Sequence, residues 1–193
     1  SLLYDKYEEL GGEVIFNNKI EDFKKNDITS KDKSLDAELI FGCDGINSLL
    51  RTKKFKSVPP LFSGFIAWRS IKESSCPFEQ NNGGDINFYL GPNSHIVTYP
   101  IGERTYSATC IIKSSDWTEE SWILRGSKDE FESNFKDWND DLLTYLSDSE
   151  LYKWGIFQRP PLESFSTNNL FLLGDSAHAM VPFWGQGSCL AIE

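Results

Sequence analysis

Two short apolar runs, set far apart in this 193-residue chain, end in the same way. Ala37-Glu38-Leu39-Ile40-Phe41-Gly42-Cys43 stops at Asp44-Gly45, and Leu170-Phe171-Leu172-Leu173 stops at Gly174-Asp175. An apolar run of this length, closed by turn residues, suits a buried strand of a parallel sheet. In open α/β sheets the carboxyl ends of such strands face the ligand crevice. The pair therefore predicts an α/β layer in which two strand ends meet at a single crevice, and it makes the residues between them an insertion.

The insertion has a different character. Phe62 to Ile71, Ile86 to Leu90, His95 to Ile101 and Tyr106 to Lys113 are strand-like segments separated by Gly, Pro and Asn, which predicts an antiparallel sheet. Ser127 to Trp138 and Asp140 to Ser147 read as helices with Ser127 and Asn139 as N-caps, and Trp154 to Phe157 reads as a short strand. Near the start, Leu2 to Leu10 reads as the end of an amphipathic helix stopped by Gly11-Gly12. Glu13 to Phe16 reads as a short strand, and residues 18 to 37 as a β-ribbon turning at Asn26-Asp27 and Lys31-Asp32. Ser48 to Arg51 begins a helical turn, and a last helix starts near Gln186. The fold class is α/β with α+β character, and the expected segments are 1–56, 57–165 and 166–193. Both chain ends read as cuts within helices.

Composition excludes several classes. With 19 basic and 29 acidic residues the net charge is −10, which makes the chain a poor binder of nucleic acid. The acidic residues are spread out, as on a solvated surface. Lys53, Lys54 and Lys56 read as an exposed loop. No apolar run approaches the ~18 residues of a membrane span, and no basic region precedes an apolar stretch as in a signal peptide. Cys43, Cys76, Cys110 and Cys189 show neither zinc-ribbon nor C-x-x-C spacing, so they read as free thiols of a reducing compartment, the cytoplasm, with no metal site expected. Trp117, Trp122, Trp138 and Trp154 read as packing residues.

The densest chemistry lies after the second run. Asp175 is placed to accept hydrogen bonds from ligand hydroxyls. Pro182 stiffens the loop, and Gly185 and Gly187 let backbone approach a flat ligand. The following helix aims free N–H groups at the same place, which suits a ligand that becomes anionic. Taken singly, these glycines and Asp175 read equally well as turn and cap residues. His178 reads as a loop-ordering residue bonded to backbone, and Cys189 as a small packing residue. In the insertion, His95, Val97 and Tyr99 share one strand face. The Cα atoms of His95 and Tyr99 are about 13 Å apart, enough to bracket one aromatic ring. Arg69 suits a bidentate carboxylate contact or an ordinary surface ion pair. Ser48 and Arg51 share one face of their helical turn.

These segments resemble one family. Leu172 to Gly187 is similar to the "GD" motif of FAD-dependent aromatic-ring monooxygenases, the relatives of salicylate and hydroxybenzoate hydroxylases. Cys43 to Arg51 resembles their "DG" motif, and Ser63 to Arg69 resembles the Gly-x-x-Ala-Trp-Arg segment of the salicylate-hydroxylase-like branch, as does Ser94 to Pro100. The resemblance implies a partial FAD-binding Rossmann-like domain interrupted by a substrate domain with an antiparallel sheet. It assigns Asp175, with Gly174, to the FAD ribityl chain. Gly185, Gln186, Gly187 and Ser188 fall at the flavin pyrimidine edge, and Asp44 and Gly45 near the pyrophosphate. His95, Tyr99 and Pro182 become catalytic and substrate-binding, with His95 removing a phenol proton, and Arg69 becomes substrate-binding. The implied activity is hydroxylation of a salicylate- or hydroxybenzoate-like substrate with NADH or NADPH and O₂. The partners are that small aromatic molecule and O₂, with room for a homodimer.

The chain departs from the family in lacking the G-x-G-x-x-G fingerprint and the helices beyond the GD motif, so as given it is expected to hold FAD weakly or not at all. A kynurenine 3-monooxygenase-like or epoxidase-like enzyme is the nearest alternative. A non-catalytic flavoprotein-like binding module is the other, and the missing fingerprint favours it.

Overall fold

The structure, a computed structural model, describes residues 2–24, 27–31, 33–55, 57–73, 86–115, 117 and 124–193. Cys76, Trp122, Lys56, Asn26 and Asp32 lie outside the described residues. In chain order the elements are α1 (Leu2–Glu9), β1 (Ile20–Lys24), β2 (Asp27–Ser30), β3 (Ser34–Asp36), β4 (Ile40–Gly42) and α2 (Leu49–Lys54). Then come β5 (Leu61–Lys72), β6 (Asn87–Gly91), β7 (Ser94–Gly102), β8 (Thr105–Lys113), β9 (Leu124–Arg125), α3 (Lys128–Asn134), α4 (Asp140–Ser147) and β10 (Leu151–Gln158). The chain closes with β11 (Ser166–Thr167), β12 (Leu170–Leu172), α5 (Asp175–His178), a 3₁₀ turn (Pro182–Trp184) and α6 (Gly187–Ile192). Two compact units result, one of Ser1–Pro60 with Arg159–Glu193 and one of Leu61–Gln158. Their boundaries fall at 60/61 and 158/159, where the sequence suggested 56/57 and 165/166.

The second unit is a six-stranded antiparallel sheet in the order β6-β7-β8-β5-β10-β9. The four strands expected here are all present. Register sets Ile96, Cys110 and Trp68 side by side, and Thr98, Ala108 and Ser70 in the next row. This face carries the core, closed by Phe131 of α3, by Phe135 just past its end, and by Leu142, Leu143 and Leu146 from α4. Trp68 is fully buried with its ring edge-on to Phe131 at 5.5 Å. Ser127 Oγ accepts from Glu130 N, and Asn139 Oδ1 accepts from Leu142 N, so both expected N-caps form. They satisfy backbone donors that a helix start leaves open.

The first unit holds an antiparallel ribbon, β1-β2-β3, and a three-stranded sheet in the order β11-β12-β4. β12 runs parallel to β4, with Leu170 opposite Ile40 and Leu172 opposite Gly42. Ile40, Leu50, Leu170, Leu172, Phe23 and Ala177 form its core. Three expectations need correction. No strand forms at Glu13 to Phe16, because among the described residues nothing pairs with it, and Val14, Ile15 and Phe16 stay exposed. The first apolar run gives a three-residue strand buried on one face only, and Phe41 stacks on Phe171 at 5.4 Å on the other. Lys53 and Lys54 end a helix instead of a loop, and Lys53 pairs with Asp22 at 2.9 Å.

Candidate functional site

In the first unit, the parallel pairing carries the chain from both strands out at one sheet edge. Leu173 N–H donates to Gly42 O at 3.0 Å, extending the ladder to the last residue before Gly174. The buried Ser176 hydroxyl lies within hydrogen-bond reach of the Gly42 and Leu173 carbonyls and accepts from Leu173 N–H at 3.2 Å. The Gly174-Asp175 corner is therefore stitched to the end of β4. Between them opens a cleft of about 410 Å³ lined by Cys43, Gly45, Leu173, Gly174, Asp175, Gly187, Ser188 and Ala191. That volume is within the ordinary range for small-molecule sites. Gly45, Gly174 and Gly185 have φ of 75°, 59° and 64°, a backbone region that favours glycine.

Asp175 begins α5 at the cleft wall. Asp44 behaves differently, since its Oδ2 accepts from Leu49 N at 2.7 Å and Leu50 N at 3.3 Å. That carboxylate is spent on the start of α2. Ser48 Oγ accepts from Arg51 N in the same turn, and Ser48 and Arg51 both point inward. Gln186 precedes α6 and its side chain makes no cap, so the first N–H groups of α6 at Gly187 and Ser188 have no side-chain partner. Pro182 opens the 3₁₀ turn between α5 and α6. His178 is not bonded to backbone through Nδ1, which is buried without a hydrogen-bond partner, and its ring stands edge-on to Phe165. Cys189 is an exposed free thiol instead of a packing residue, Cys43 is likewise exposed, and Cys110 is buried with its pKa pushed up by that burial.

Sequence reasoning gave Arg51 only its place in the motif and passed over Arg159. Arg51 is 1% exposed, and its guanidinium donates to Ser176 O, Ala177 O, Pro160 O and Ser57 Oγ. Arg159, also buried, donates to Ile46 O, Val58 O and Ser57 Oγ. Burial, then the neighbouring Arg159 charge, push the Arg51 pKa down from its ordinary value. Only the motif spacing of Asp44, Ser48 and Arg51 hinted at this.

In the second unit, the sheet face turned away from α3 and α4 gathers the expected substrate residues. Register puts His95, Ile111, Ala67 and Trp154 in one cross-strand row, Val97, Thr109, Arg69 and Tyr152 in the next, and Tyr99, Ser107 and Ile71 in the third. His95 and Tyr99 thus flank the row containing Arg69, which lies two strands from Val97, about 10 Å away. His95 is half-buried, and that desolvation lowers its pKa from 6.5. Arg69 is exposed and makes no ion pair among the described residues.

Among the described residues there is no group of three or more potential metal ligands, and no helix is long and apolar enough to cross a membrane. Comparison with known proteins gives a consistent result. The FAD binding domain family matches residues 2–193. A 3-amino-4-hydroxybenzoate 2-monooxygenase of Streptomyces platensis is 32% identical over 162 residues, covering 83% of this chain and 41% of that protein. A 3-hydroxybenzoate 6-hydroxylase of Klebsiella oxytoca is 28% identical over 167 residues, covering 84% of this chain and 41% of that protein. The chain thus spans about two fifths of the length of these relatives. A solved salicylate hydroxylase in complex with substrate superimposes with a TM-score of 0.80 at 22% identity, over 96% of this chain and 52% of that one, which shows the same fold.

Proposed function

Because this chain belongs to the FAD binding domain family, we propose that the full-length protein is an FAD-dependent monooxygenase that hydroxylates a small aromatic acid with NADH or NADPH and O₂. The observation that carries this reading is the parallel pairing of β4 with β12, which sets Gly45 and Asp175 on one cleft. The relatives named above act on hydroxylated benzoates.

The cleft fits a flat ligand with a hydroxylated chain. Gly187 has no positive φ, and a Cβ there would meet no protein atom within 4 Å. The fold itself does not require glycine at that position, whereas a ligand lying against the backbone does. Asp175 offers acceptors to ribityl hydroxyls, and Gln186, Gly187 and Ser188 offer backbone donors to the flavin edge. Gly174 and Gly185 give the loop its turns, and the Asp44-Gly45 corner stands by the pyrophosphate. When bound, FAD supplies the redox chemistry, accepting a hydride from the nicotinamide and activating O₂.

On the second unit, His95 accepts the phenol proton, which enriches the ring in electrons for oxygen transfer. Half-burial keeps its imidazole neutral, and so able to accept, at pH 7. Tyr99 and Arg69 complete the substrate surface, with Arg69 free to take a carboxylate bidentately, and Pro182 keeps the substrate-bordering role of the motif.

The test uses the full reading frame. The purified protein should be yellow, and a hydroxybenzoate should stimulate NADH or NADPH oxidation with hydroxylated product formed. His95→Ala should slow hydroxylation about 100-fold or more while FAD affinity holds. In the wild type, kcat/KM should be level at pH 7 and fall only below 6.5, because the base must lose its captured proton and its pKa is lowered. An acid limb centred above 6.5 would exclude His95, and a colourless full-length protein would refute the whole reading.

A further inference from the structure

The turn that carries Asp175 cannot hold itself. α5 is four residues long, and Ala177 N and His178 N both donate to Gly174 O at its start. A single helical turn is unstable alone, because nucleation fixes many torsions for few hydrogen bonds. Its last carbonyls are also unmet by the helix. Two of those, on Ser176 and Ala177, are taken by Nη1 of Arg51 at 3.1 and 2.6 Å. The second nitrogen, Nη2, takes Pro160 O at 2.6 Å, and Nε takes Ser57 Oγ at 2.9 Å. Every recorded acceptor of Arg51 is uncharged. A buried guanidinium that meets only neutral acceptors is costly unless its donors are used, and here four of its five N–H groups are, from all three nitrogens.

Arg159 continues the same knot. It shares Ser57 Oγ at 3.1 Å, takes Ile46 O at 2.7 Å in the turn after Asp44-Gly45, and takes Val58 O at 2.7 Å. Its own N–H donates to Ala179 O, just past α5. The two arginines therefore tie together the corner at Asp44, the segments at 57–58 and 159–160, and the turn after Asp175. The two cations repel each other, and the hydrogen bonds named here run against that repulsion.

We propose that Arg51 is a positioning residue for the cofactor site: its planar fork, braced by Arg159 through Ser57, fixes the turn that presents Asp175 to the cleft. On this account the two motifs are one mechanical unit, since the helix that Asp44 starts carries the arginine that holds Asp175. The cofactor part of the claim rests on the flavin reading above, and the turn-holding part does not.

The experiment compares Arg51→Lys with wild type in the full-length protein. Lysine keeps the charge but cannot span four acceptors. Hydrogen exchange of the cofactor-free protein should show residues 176–179 exchanging at least tenfold faster, with β7 and β8 unchanged. FAD affinity, measured where both proteins are fully folded, should fall about tenfold or more, and the visible circular dichroism of the bound flavin should change. Phe131→Leu, which weakens the distant aromatic core, should lower the melting temperature without moving either readout. If Arg51→Lys does not fold, Ser57→Ala serves instead and should loosen the same four residues severalfold. Unchanged exchange at 176–179 in the variant, or unchanged FAD affinity of the variant where the wild type binds FAD, overturns the proposal. Faster exchange in a protein that never binds FAD would sustain the turn-holding role and sink the flavin reading alone.

Discussion

The two units are held together by different means. In the second, side chains do the work: Trp68, Phe131, Phe135, Ile96 and three leucines of α4 fill one face of a sheet whose strands follow one another closely in sequence. In the first, the sheet has three short strands, and the site is held by polar groups on backbone: Ser176 on Gly42 and Leu173, Asp44 on Leu49 and Leu50, Arg51 and Arg159 on five carbonyls. The contrast teaches where to look for function. Apolar packing tolerates exchange of similar volumes, whereas a satisfied polar network fixes positions and fails when one member is lost.

The comparison breaks most visibly at Phe131. This ring is fully buried between Trp68 and Phe135. Phe131→Ala should cost about 3–5 kcal/mol, read as a lower denaturant midpoint, with the hydrogen exchange of β4 and β12 left as it was. Loss of protection in β4 and β12 to the same degree would mean the two units do not differ as described. Asp175→Ala comes next. In the full-length protein it should weaken FAD binding about 10- to 100-fold, as expected for hydrogen bonds to a charged group, and titration calorimetry would detect it. The melting temperature should hardly move, because Asp175 supports no recorded contact of the fold. Gly42→Ala tests the seam itself. A Cβ there would come within 2.5 Å of Leu50 Cδ2 and 3.1 Å of Leu172 Cδ2, so overpacking should cost about 1–3 kcal/mol by chemical denaturation. A neutral result would show that α2 can move away from the sheet.

The same contrast explains what could be read in advance. The insertion's four strands and both helix caps were legible because Gly, Pro and Asn between strand-like segments, and Ser or Asn before a helix, are local signals. His95, Val97 and Tyr99 on one face followed from the two-residue period of a strand. Arg69 lying between the His95 and Tyr99 rows did not, because it depends on the register across β8. In the first unit the meeting of the two strand ends was legible from the motif pair. The roles of Arg51, Arg159 and Ser176 were not, since their partners are carbonyls, which every residue possesses and no side-chain pattern marks. The missing strand at Glu13 to Phe16 shows the complementary failure: propensity was present, but a strand exists only where a ladder partner does.

Asp44 offers the smallest and sharpest test. Motif likeness puts it beside the FAD pyrophosphate, yet a free carboxylate next to a diphosphate would repel it, and like charges at close range are unfavourable. The structure resolves the tension by directing Oδ2 to the first N–H groups of α2, where the helix start stabilises negative charge. If capping is its function, Asp44→Asn, which can still accept from the same donors, should change stability by only a few tenths of a kcal/mol. Asp44→Ala should cost about 1 kcal/mol, because two backbone donors lose their partner. FAD affinity should follow the same order, weakened by alanine and nearly untouched by asparagine, since the cap aligns the helix that carries Arg51. Equal loss of affinity in both variants would show instead that the negative charge itself is needed at the cofactor, and the polar network of the first unit would then have to be divided into separate structural and ligand-binding parts.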